Sequence, residues 1–420
     1  MRVLFVVSSW SGHYFPLVPL GWALRGAGHD VRVLCTEADV GPIARSGLHP
    51  VPALTGIDMH RQGRLSNVLA AYTGNWPYPE PPPHPDTCEP FDRATFDLDA
   101  AWQEIQATMS DSSRRSVAAA REYARAWRPD LVVHDLLSCE GPLAAHAVGV
   151  PSVLHLWGPT GTEDTLESVG GYGTDQSFDH LPAAAVFEGS LGAEAAATIE
   201  EQLGYVLDPC PPQLAPNTKG TRVPVRYVPY NGAGAVPHEL LTPTDRKRVC
   251  VVWGRSAAAT FGQTVNRIQE AVAAAVELDA EVFLLASEQD AGTGELPDSV
   301  HRLVEMPLNL VLPHCDAVVH YVGAGVLMTA TAIGVPQLML PLCAHAEERL
   351  AARVVDHGSG LSIRNYEADV PAIREGLSRL LTEPSFAAAA RTLATEVAAM
   401  PPPSAVVPLL EELAAGARIE

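Results

Sequence analysis

The first 33 residues, MRVLFVVSSWSGHYFPLVPLGWALRGAGHDVRV (residues 1–33), decide the fold. They predict a strand over residues 3–7, a loop over residues 8–15, a helix over residues 16–27 ended by Gly28, and a strand over residues 31–35. Apolar strands that alternate with helices are typical of a parallel, doubly wound sheet. The chain therefore begins with an α/β unit.

The same rhythm returns twice along the chain. Residues 131–133, 139–148 and 151–156 predict strand, helix and strand in the same N-terminal domain. A second doubly wound domain follows, with strands predicted at residues 249–253, 281–286, 317–320 and 337–340 and helices at about residues 263–278 and 324–333. We therefore expect an α/β protein made of two Rossmann-like parallel-sheet domains that face each other across a cleft.

Three segments interrupt this rhythm. Residues 76–90, WPYPEPPPHPDTCEP, contain seven prolines and predict a surface loop, ordered or mobile. Residues 158–223 are poorly periodic, and residues 227–248 carry the Pro, Gly and basic residues of a linker. The predicted domains are therefore residues 1–226 and residues 249–400.

Residues 321–344 carry no charge and are long enough to cross a bilayer. Pro336 stands within this run and disfavours one continuous helix, so the segment predicts a buried helix followed by a strand.

Composition excludes several classes of function. Asp and Glu number 49 against 28 Lys and Arg, for a net charge of −21, which disfavours nucleic acid and anionic membranes as partners. The seven cysteines form no CxxC pair and no zinc-like cluster, and they suit buried thiols in the cytoplasm. No acidic motif suggests a metal, and we expect no cofactor.

The loop after the first strand carries the strongest catalytic candidate. His13 lies at the carboxyl edge of the first sheet, where an imidazole can take the proton of an acceptor hydroxyl. Asp135 follows the strand at residues 131–133 and is a candidate carboxylate behind it. A loop histidine and a turn-forming aspartate remain the alternatives. Trp10 and Tyr14 are candidates for the cleft lining or for the core.

In the second domain, Gly254 and Ser256 follow the first predicted strand, and Gly323-Ala324-Gly325 opens a helix directly after His320. Glycines at a helix N-terminus let main-chain N–H groups approach an anion, so a diphosphate is the expected ligand. Tight-turn glycines and a strand-end histidine with satisfied hydrogen bonds remain the alternatives.

Three segments carry a family resemblance: residues 1–33, residues 128–158 (RPDLVVHDLLSCEGPLAAHAVGVPSVLHLWG) and residues 313–360, which contain CDAVVH, GVPQLMLP and ARVV. Over nearly the whole chain they resemble bacterial natural-product glycosyltransferases with the GT-B fold, including C-glycosylating members. The resemblance implies a nucleotide-sugar co-substrate and a tail at residues 401–420 that packs back on the N-terminal domain.

The resemblance also implies residue roles. It makes His13 the general base and Asp135 its support, as in plant members of the family. It places the donor diphosphate at His320 and the turn Gly323 to Gly325, with Arg255 and Ser256 reaching the phosphates or the base. Residues 304–308, ending in Leu308, would border the nucleobase.

The chain departs from the family pattern at three points. The turn His320-Tyr321-Val322-Gly323-Ala324-Gly325-Val326-Leu327 lacks the usual hydroxyl, and Glu305 stands where a tryptophan is common. The Asp-Gln pair for donor sugar hydroxyls is replaced within residues 344–348, AHAEE, where Glu347 is our candidate. Without paired acceptors the site loses little affinity for a deoxygenated sugar, which favours a dTDP-deoxysugar.

The sequence thus predicts an inverting, metal-independent transfer of a deoxysugar to a hydrophobic acceptor, of the polyketide type. The residues expected to hold the acceptor are Trp10, Tyr14, Trp76 and Trp157. O- and C-transfer remain open, as does a homodimer. A nucleotide-sugar 2-epimerase and a non-catalytic glycosyltransferase-like partner are the competing interpretations.

Overall fold

The computed structural model describes residues 1–162, 188–236, 238–287, 290, 295–342 and 345–418, with the main chain only for Arg255, His345 and Ala346. Two parallel sheets organise it. The N-terminal sheet has seven strands in the order β3-β2-β1-β4-β5-β6-β7, and the C-terminal sheet has six in the order β10-β9-β8-β11-β12-β13. The predicted fold class is confirmed.

The N-terminal strands are β1 (Arg2–Val6), β2 (Asp30–Thr36), β3 (His49–Leu54), β4 (Leu131–His134), β5 (Ser152–His155), β6 (Tyr205–Asp208) and β7 (Thr221–Pro224). The helices among them are α1 (Ser11–Tyr14), α2 (Val18–Gly26), α3 (Val40–Arg45), α4 (Met59–Thr73), α5 (Leu98–Trp127), α6 (Glu140–Val148) and α7 (Ala193–Glu201).

The C-terminal strands are β8 (Arg248–Val252), β9 (Glu281–Ala286), β10 (Val300–Val304), β11 (Ala317–His320), β12 (Gln337–Met339) and β13 (Gly360–Ser362). The helices are α8 (Arg255–Phe261), α9 (Ile268–Glu277), α10 (Leu308–Val311), α11 (Ala324–Ile333), α12 (His345–Asp356), α13 (Val370–Thr382), α14 (Pro384–Ala399) and α15 (Pro403–Ala414).

The central strands are buried on both faces, as the apolar runs predict. In β1 only Arg2 is exposed, and β4 and β8 are buried throughout. Parallel pairing sets Val3 opposite both Val31 and Leu131, so β1 lies in the middle of its sheet. The carboxyl ends of β1 and β4 therefore lie side by side.

Two predicted elements need correction. The predicted loop at residues 8–15 contains the short helix α1, which begins directly after Trp10. Helix α9 begins at Ile268 rather than near residue 263, because Gly262 has φ 77° and the Asn266 side chain accepts a hydrogen bond from Ile268 N at 2.9 Å.

The uncharged segment at residues 321–344 folds as the predicted helix and strand, α11 and β12, separated by Gly334 in the left-handed region at φ 88°. Within the described residues no single helix is long and apolar enough to cross a membrane. Helices α14 and α15, bent by 40° at their junction, pass that test only as a pair.

Among the described residues, two segments extend from one domain into the core of the other. Helix α15 packs on α2, with Val406, Leu410 and Leu413 buried in the N-terminal core. In the other direction, the proline-rich segment lacks helix or strand but places Tyr78 in the core of the C-terminal domain. Each α/β unit therefore receives a segment of the chain from the other.

Candidate active site

His13 lies on α1, just beyond the carboxyl end of β1, within a row of aromatic rings. Its imidazole stacks on Trp157 with ring centroids 3.9 Å apart and an interplanar angle of 15°, and Trp10 lies 5.9 Å away at 18°. Trp10 in turn contacts His60 at 4.9 Å. Packing among these rings desolvates the imidazole and lowers the pKa of His13 to about 3, so the ring is neutral at physiological pH.

The carboxylate of Asp135 does not hydrogen-bond His13 directly. Its Oδ2 accepts from Ser8 N at 2.7 Å, and its Oδ1 accepts from Leu137 N at 2.9 Å. The Ser8 hydroxyl lies 2.9 Å from Nδ1 of His13. Burial raises the pKa of Asp135, and the hydrogen bonds from Ser8 and Leu137 oppose that rise. The histidine and aspartate implied by the resemblance are thus linked through Ser8.

The histidine site touches the C-terminal domain. Trp157, which stacks on His13, belongs to an apolar cluster that includes Ala324, the first residue of α11. A Cβ added at the neighbouring Gly158 would lie 3.3 Å from the Cβ of Ala324, so the main chains approach closely here. The side chain of Trp157 therefore lies between His13 and the first residue of α11.

The N-terminus of α11 is suited to an anion. Gly323 precedes the helix with no side-chain cap, and a Cβ added at Gly325 would meet open space. The first N–H groups of a helix lack intrahelical partners and carry a partial positive charge. The predicted glycine turn thus presents main-chain donors at the domain boundary.

His320 does not offer a free ring nitrogen at this turn. It is fully buried at the end of β11, where Nδ1 accepts from Val322 N at 3.1 Å and Nε2 lies 3.0 Å from Gln337 Oε1. Burial lowers the pKa of His320 to about 4. The histidine holds Val322 in the left-handed region at φ 71°, so it shapes the turn.

Tyr321 is a site residue that the sequence analysis did not select. Its hydroxyl lies 2.8 Å from the Ser256 hydroxyl, and a Cβ added at Gly254 would fall 2.5 Å from the same oxygen. Burial raises the pKa of Tyr321 to about 12. The tyrosine therefore joins the two glycine-containing turns of the C-terminal sheet and positions Ser256.

Glu347, on α12, lies near this pair. Its carboxylate accepts from Leu342 N at 2.7 Å, and burial, aided by the charge of Glu348, raises its pKa to about 8. The carbonyl of Leu342 lies 3.0 Å from the hydroxyl of Tyr78. Leu342, whose N–H holds Glu347, is therefore itself held through its carbonyl by Tyr78 of the N-terminal domain.

A cavity of about 840 Å³ opens at the carboxyl ends of β9 and β10. Ser287, Asp290, Val304 and Glu305 line it from the C-terminal sheet, and Pro83 and Cys88 reach it from the proline-rich segment. The cavity lies at the carboxyl edge of the sheet, the edge at which open α/β sheets bind ligands, and its volume lies in the range of small-molecule sites.

Three of the predicted site residues, Tyr14, Trp76 and Leu308, pack away from His13 and the glycine turn. For a fourth, Arg255, the structure describes only the main chain. Tyr14 is 3% exposed in the N-terminal core, with its hydroxyl 3.2 Å from Asp39. Trp76 contacts Tyr78 and Phe261. Leu308 is buried in the C-terminal core, and the side chain of Arg255 lies outside the described part.

Two residues that connect parts of the site, Ser8 and Tyr321, were not predicted as site residues from the sequence. Ser8 directly follows β1 in a Ser-Ser pair, and Tyr321 follows His320 directly. Position after a parallel strand is the signal that would have selected both.

No group of three or more His, Cys, Asp or Glu residues in the described ranges is arranged to hold a metal ion.

Two parallel-sheet domains with a neutral histidine beside a glycine-rich helix N-terminus define a GT-B nucleotide-sugar glycosyltransferase. The chain belongs to the erythromycin biosynthesis protein CIII-like family, whose N-terminal domain profile matches residues 93–254 and whose C-terminal domain profile matches residues 269–413.

Curated relatives match along nearly the full length. The chain is 34% identical to tylactone mycaminosyltransferase of Streptomyces fradiae, over 99% of this chain and 93% of the relative. It is 32% identical to 3-alpha-mycarosylerythronolide B desosaminyl transferase of Saccharopolyspora erythraea, over 100% and 99%.

Solved structures share the architecture. Spinosyn rhamnosyltransferase SpnG complexed with thymidine diphosphate is 28% identical, with a TM-score of 0.71 over 98% of this chain and 100% of that chain. Glycosyltransferase VinC in complex with dTDP is 30% identical, with a TM-score of 0.70 over 99% and 100%.

Proposed function

We propose that this glycosyltransferase moves a deoxysugar from a dTDP-sugar to a hydrophobic, polyketide-type acceptor, without a metal ion and with inversion at the anomeric carbon. The observation that carries the proposal is the packing of His13 on Trp157, which itself packs against Ala324 at the start of α11. A base and an anion-binding helix terminus thus meet at one point of the domain boundary.

The donor diphosphate would lie against the main-chain N–H groups from Gly323 to Gly325. These donors and the helix dipole stabilise the charge that grows on the leaving diphosphate. Ser256, held by Tyr321, offers a hydroxyl from the neighbouring turn. His320 contributes by holding the turn, since both of its ring nitrogens are occupied.

The nucleoside would occupy the cavity beside Val304 and Glu305. SpnG and VinC were solved with thymidine diphosphate, and their TM-scores of 0.71 and 0.70 to this chain support the same class of nucleotide here. The sugar would extend from the diphosphate toward Glu347. Its pKa of about 8 keeps this carboxyl mostly protonated at neutral pH, which avoids repulsion with the diphosphate.

A deoxysugar suits this site because a single carboxyl replaces the usual acceptor pair. Relatives named for mycaminosyl, desosaminyl and 2-deoxy-L-fucose transfer support the same donor class. The names tylactone and erythronolide, and the SpnG structure with spinosyn aglycone, support a polyketide acceptor.

His13 would take the proton from the acceptor nucleophile, because it is neutral at physiological pH. No described residue hydrogen-bonds its Nε2, which leaves that nitrogen for the acceptor. One displacement opposite the diphosphate inverts the anomeric centre. Trp10 and Trp157 would contact the acceptor beside the base.

The proposal is tested by calorimetric titration with dTDP and with UDP in the presence of a chelator, followed by transfer assays that pair dTDP-deoxysugars with polyketide aglycones. We expect tighter binding of dTDP than UDP, metal-independent product, and an anomeric configuration opposite to that of the donor by NMR. Failure of both nucleotides to bind would favour a non-catalytic partner. Donor epimers formed without acceptor would favour an epimerase.

A further inference from the structure

Ser8 occupies the space between the two residues that the resemblance pairs directly. It follows β1, and its main-chain N–H donates to Asp135 at 2.7 Å while its hydroxyl lies 2.9 Å from Nδ1 of His13. Asp135 has 0% exposure, and it also accepts from Leu137 N. Ser8 is thus in contact with both members of the pair.

The direction of the Ser8 hydroxyl decides which ring nitrogen is basic. If the hydroxyl donates to Nδ1, the proton of the neutral imidazole sits on Nε2, and Nε2 cannot accept from the acceptor. If the hydroxyl donates to Asp135, its oxygen accepts from Nδ1–H, and Nε2 keeps its lone pair. A side-chain hydrogen bond from Ser8 is among the contacts that lower the pKa of Asp135, and this buried carboxylate favours the second arrangement because it is the stronger acceptor.

We propose that Ser8 is a positioning residue, whose hydroxyl receives the Nδ1–H of His13 and donates to Asp135, so that Nε2 is held as the basic nitrogen. The proposal rests on the role of His13 as the base given above. No proton leaves Ser8, which fixes the tautomer and passes the electrostatic influence of Asp135 to the imidazolium that forms during transfer.

Ser9 offers a matched control. It is the next residue, it is also half-buried, and its hydroxyl lies 3.2 Å from the Thr36 hydroxyl rather than from His13. Ser8→Ala and Ser9→Ala therefore remove the same atom from neighbouring positions. Ser8→Thr retains a hydroxyl at the first position.

The first readout is the tautomer of His13 in the full-length protein, from ¹⁵N NMR of its ring nitrogens. Its signals are assigned by their loss in His13→Gln. We expect Nδ1–H in the wild type and Ser9→Ala, and a shift toward Nε2–H in Ser8→Ala. An unchanged tautomer in Ser8→Ala, or Nε2–H in the wild type, overturns the proposal. This readout does not depend on transfer activity.

The second readout is a double-mutant cycle in the transfer assay. Loss of one hydrogen bond predicts a fall of about tenfold in kcat for Ser8→Ala, with KM for the donor unchanged and much of the rate restored in Ser8→Thr. In a His13→Ala background, Ser8→Ala should have no further effect. If the reductions in kcat of the two single variants multiply in the double variant, the positioning role is overturned. A wild-type protein that neither transfers sugar nor binds dTDP would overturn the proposed function, and the NMR test of the tautomer would still apply.

Discussion

Tyr78 joins the proline-rich segment of the N-terminal domain to the donor side of the site. Its side chain is 5% exposed, and its hydroxyl lies 3.0 Å from both Leu342 O and Asn365 Oδ1. The N–H of Leu342 donates to Glu347. Tyr78→Phe removes the hydroxyl, keeps the ring, and should loosen the main chain at Leu342, whose N–H holds Glu347.

The size of the expected effect follows from the free-energy cost of leaving buried acceptor oxygens without the tyrosine hydroxyl. Asn365 keeps its hydrogen bond to Val265 O, but its Oδ1 and the Leu342 carbonyl lose the tyrosine hydroxyl. Such a loss costs roughly 1–3 kcal/mol. If about 1 kcal/mol of this free-energy cost weakens donor binding, KM for the donor rises roughly fivefold.

Tyr72→Phe is the matched control. The Tyr72 hydroxyl also contacts two carbonyl oxygens, those of Arg93 and Phe96, at 3.2 and 3.0 Å, but both lie in the N-terminal domain. Steady-state kinetics with varied donor and thermal melting should therefore separate the variants. We expect raised donor KM in Tyr78→Phe alone. Equal donor KM in both variants and the wild type would refute the link between this segment and the donor site.

Three further outcomes are expected. Gly254→Ala should weaken dTDP binding by calorimetry, because its Cβ would fall 2.5 Å from the hydroxyl of Tyr321, whereas Gly26→Ala meets nothing within 4 Å and should bind normally. Donor KM should rise as pH increases through about 8, since Glu347 then becomes charged beside the diphosphate, and Glu347→Gln should abolish that rise. Leu410→Ala should lower the free energy of unfolding by about 2–5 kcal/mol, measured by denaturant titration, because this fully buried side chain joins α15 to the N-terminal core.

Eight strands were predictable because each is a short, largely buried apolar run, namely β1, β2, β4, β5, β8, β9, β11 and β12. Strands β3, β7 and β10, which have exposed or half-buried positions, received no prediction. Strands β9 and β11 and helix α11 match the predicted bounds, and β1 and β8 differ by one residue at each end. Helices α4 and α5 received no prediction from the sequence. The buried face of helix α5 consists largely of small side chains, such as Ser112, Ser116 and Ala120, so few large apolar residues mark that face in the sequence.

The candidate site was predictable only in part. The position of His13 after β1 and of Asp135 after β4 follows from parallel-strand order, since both strand ends lie at one sheet edge. That Ser8 lies between them depends on side-chain directions in two loops, which periodicity does not encode. Tyr14 illustrates the same limit, because its burial follows from Asp39 and the core around it.

The most direct test of the account is the rate of sugar transfer by His13→Ala, compared with the wild type and with His146→Ala, an exposed histidine on α6. Loss of the base predicts a fall in kcat on the order of 10²-fold or more, with dTDP affinity unchanged and His146→Ala fully active. Transfer at the wild-type rate by His13→Ala would contradict the central claim.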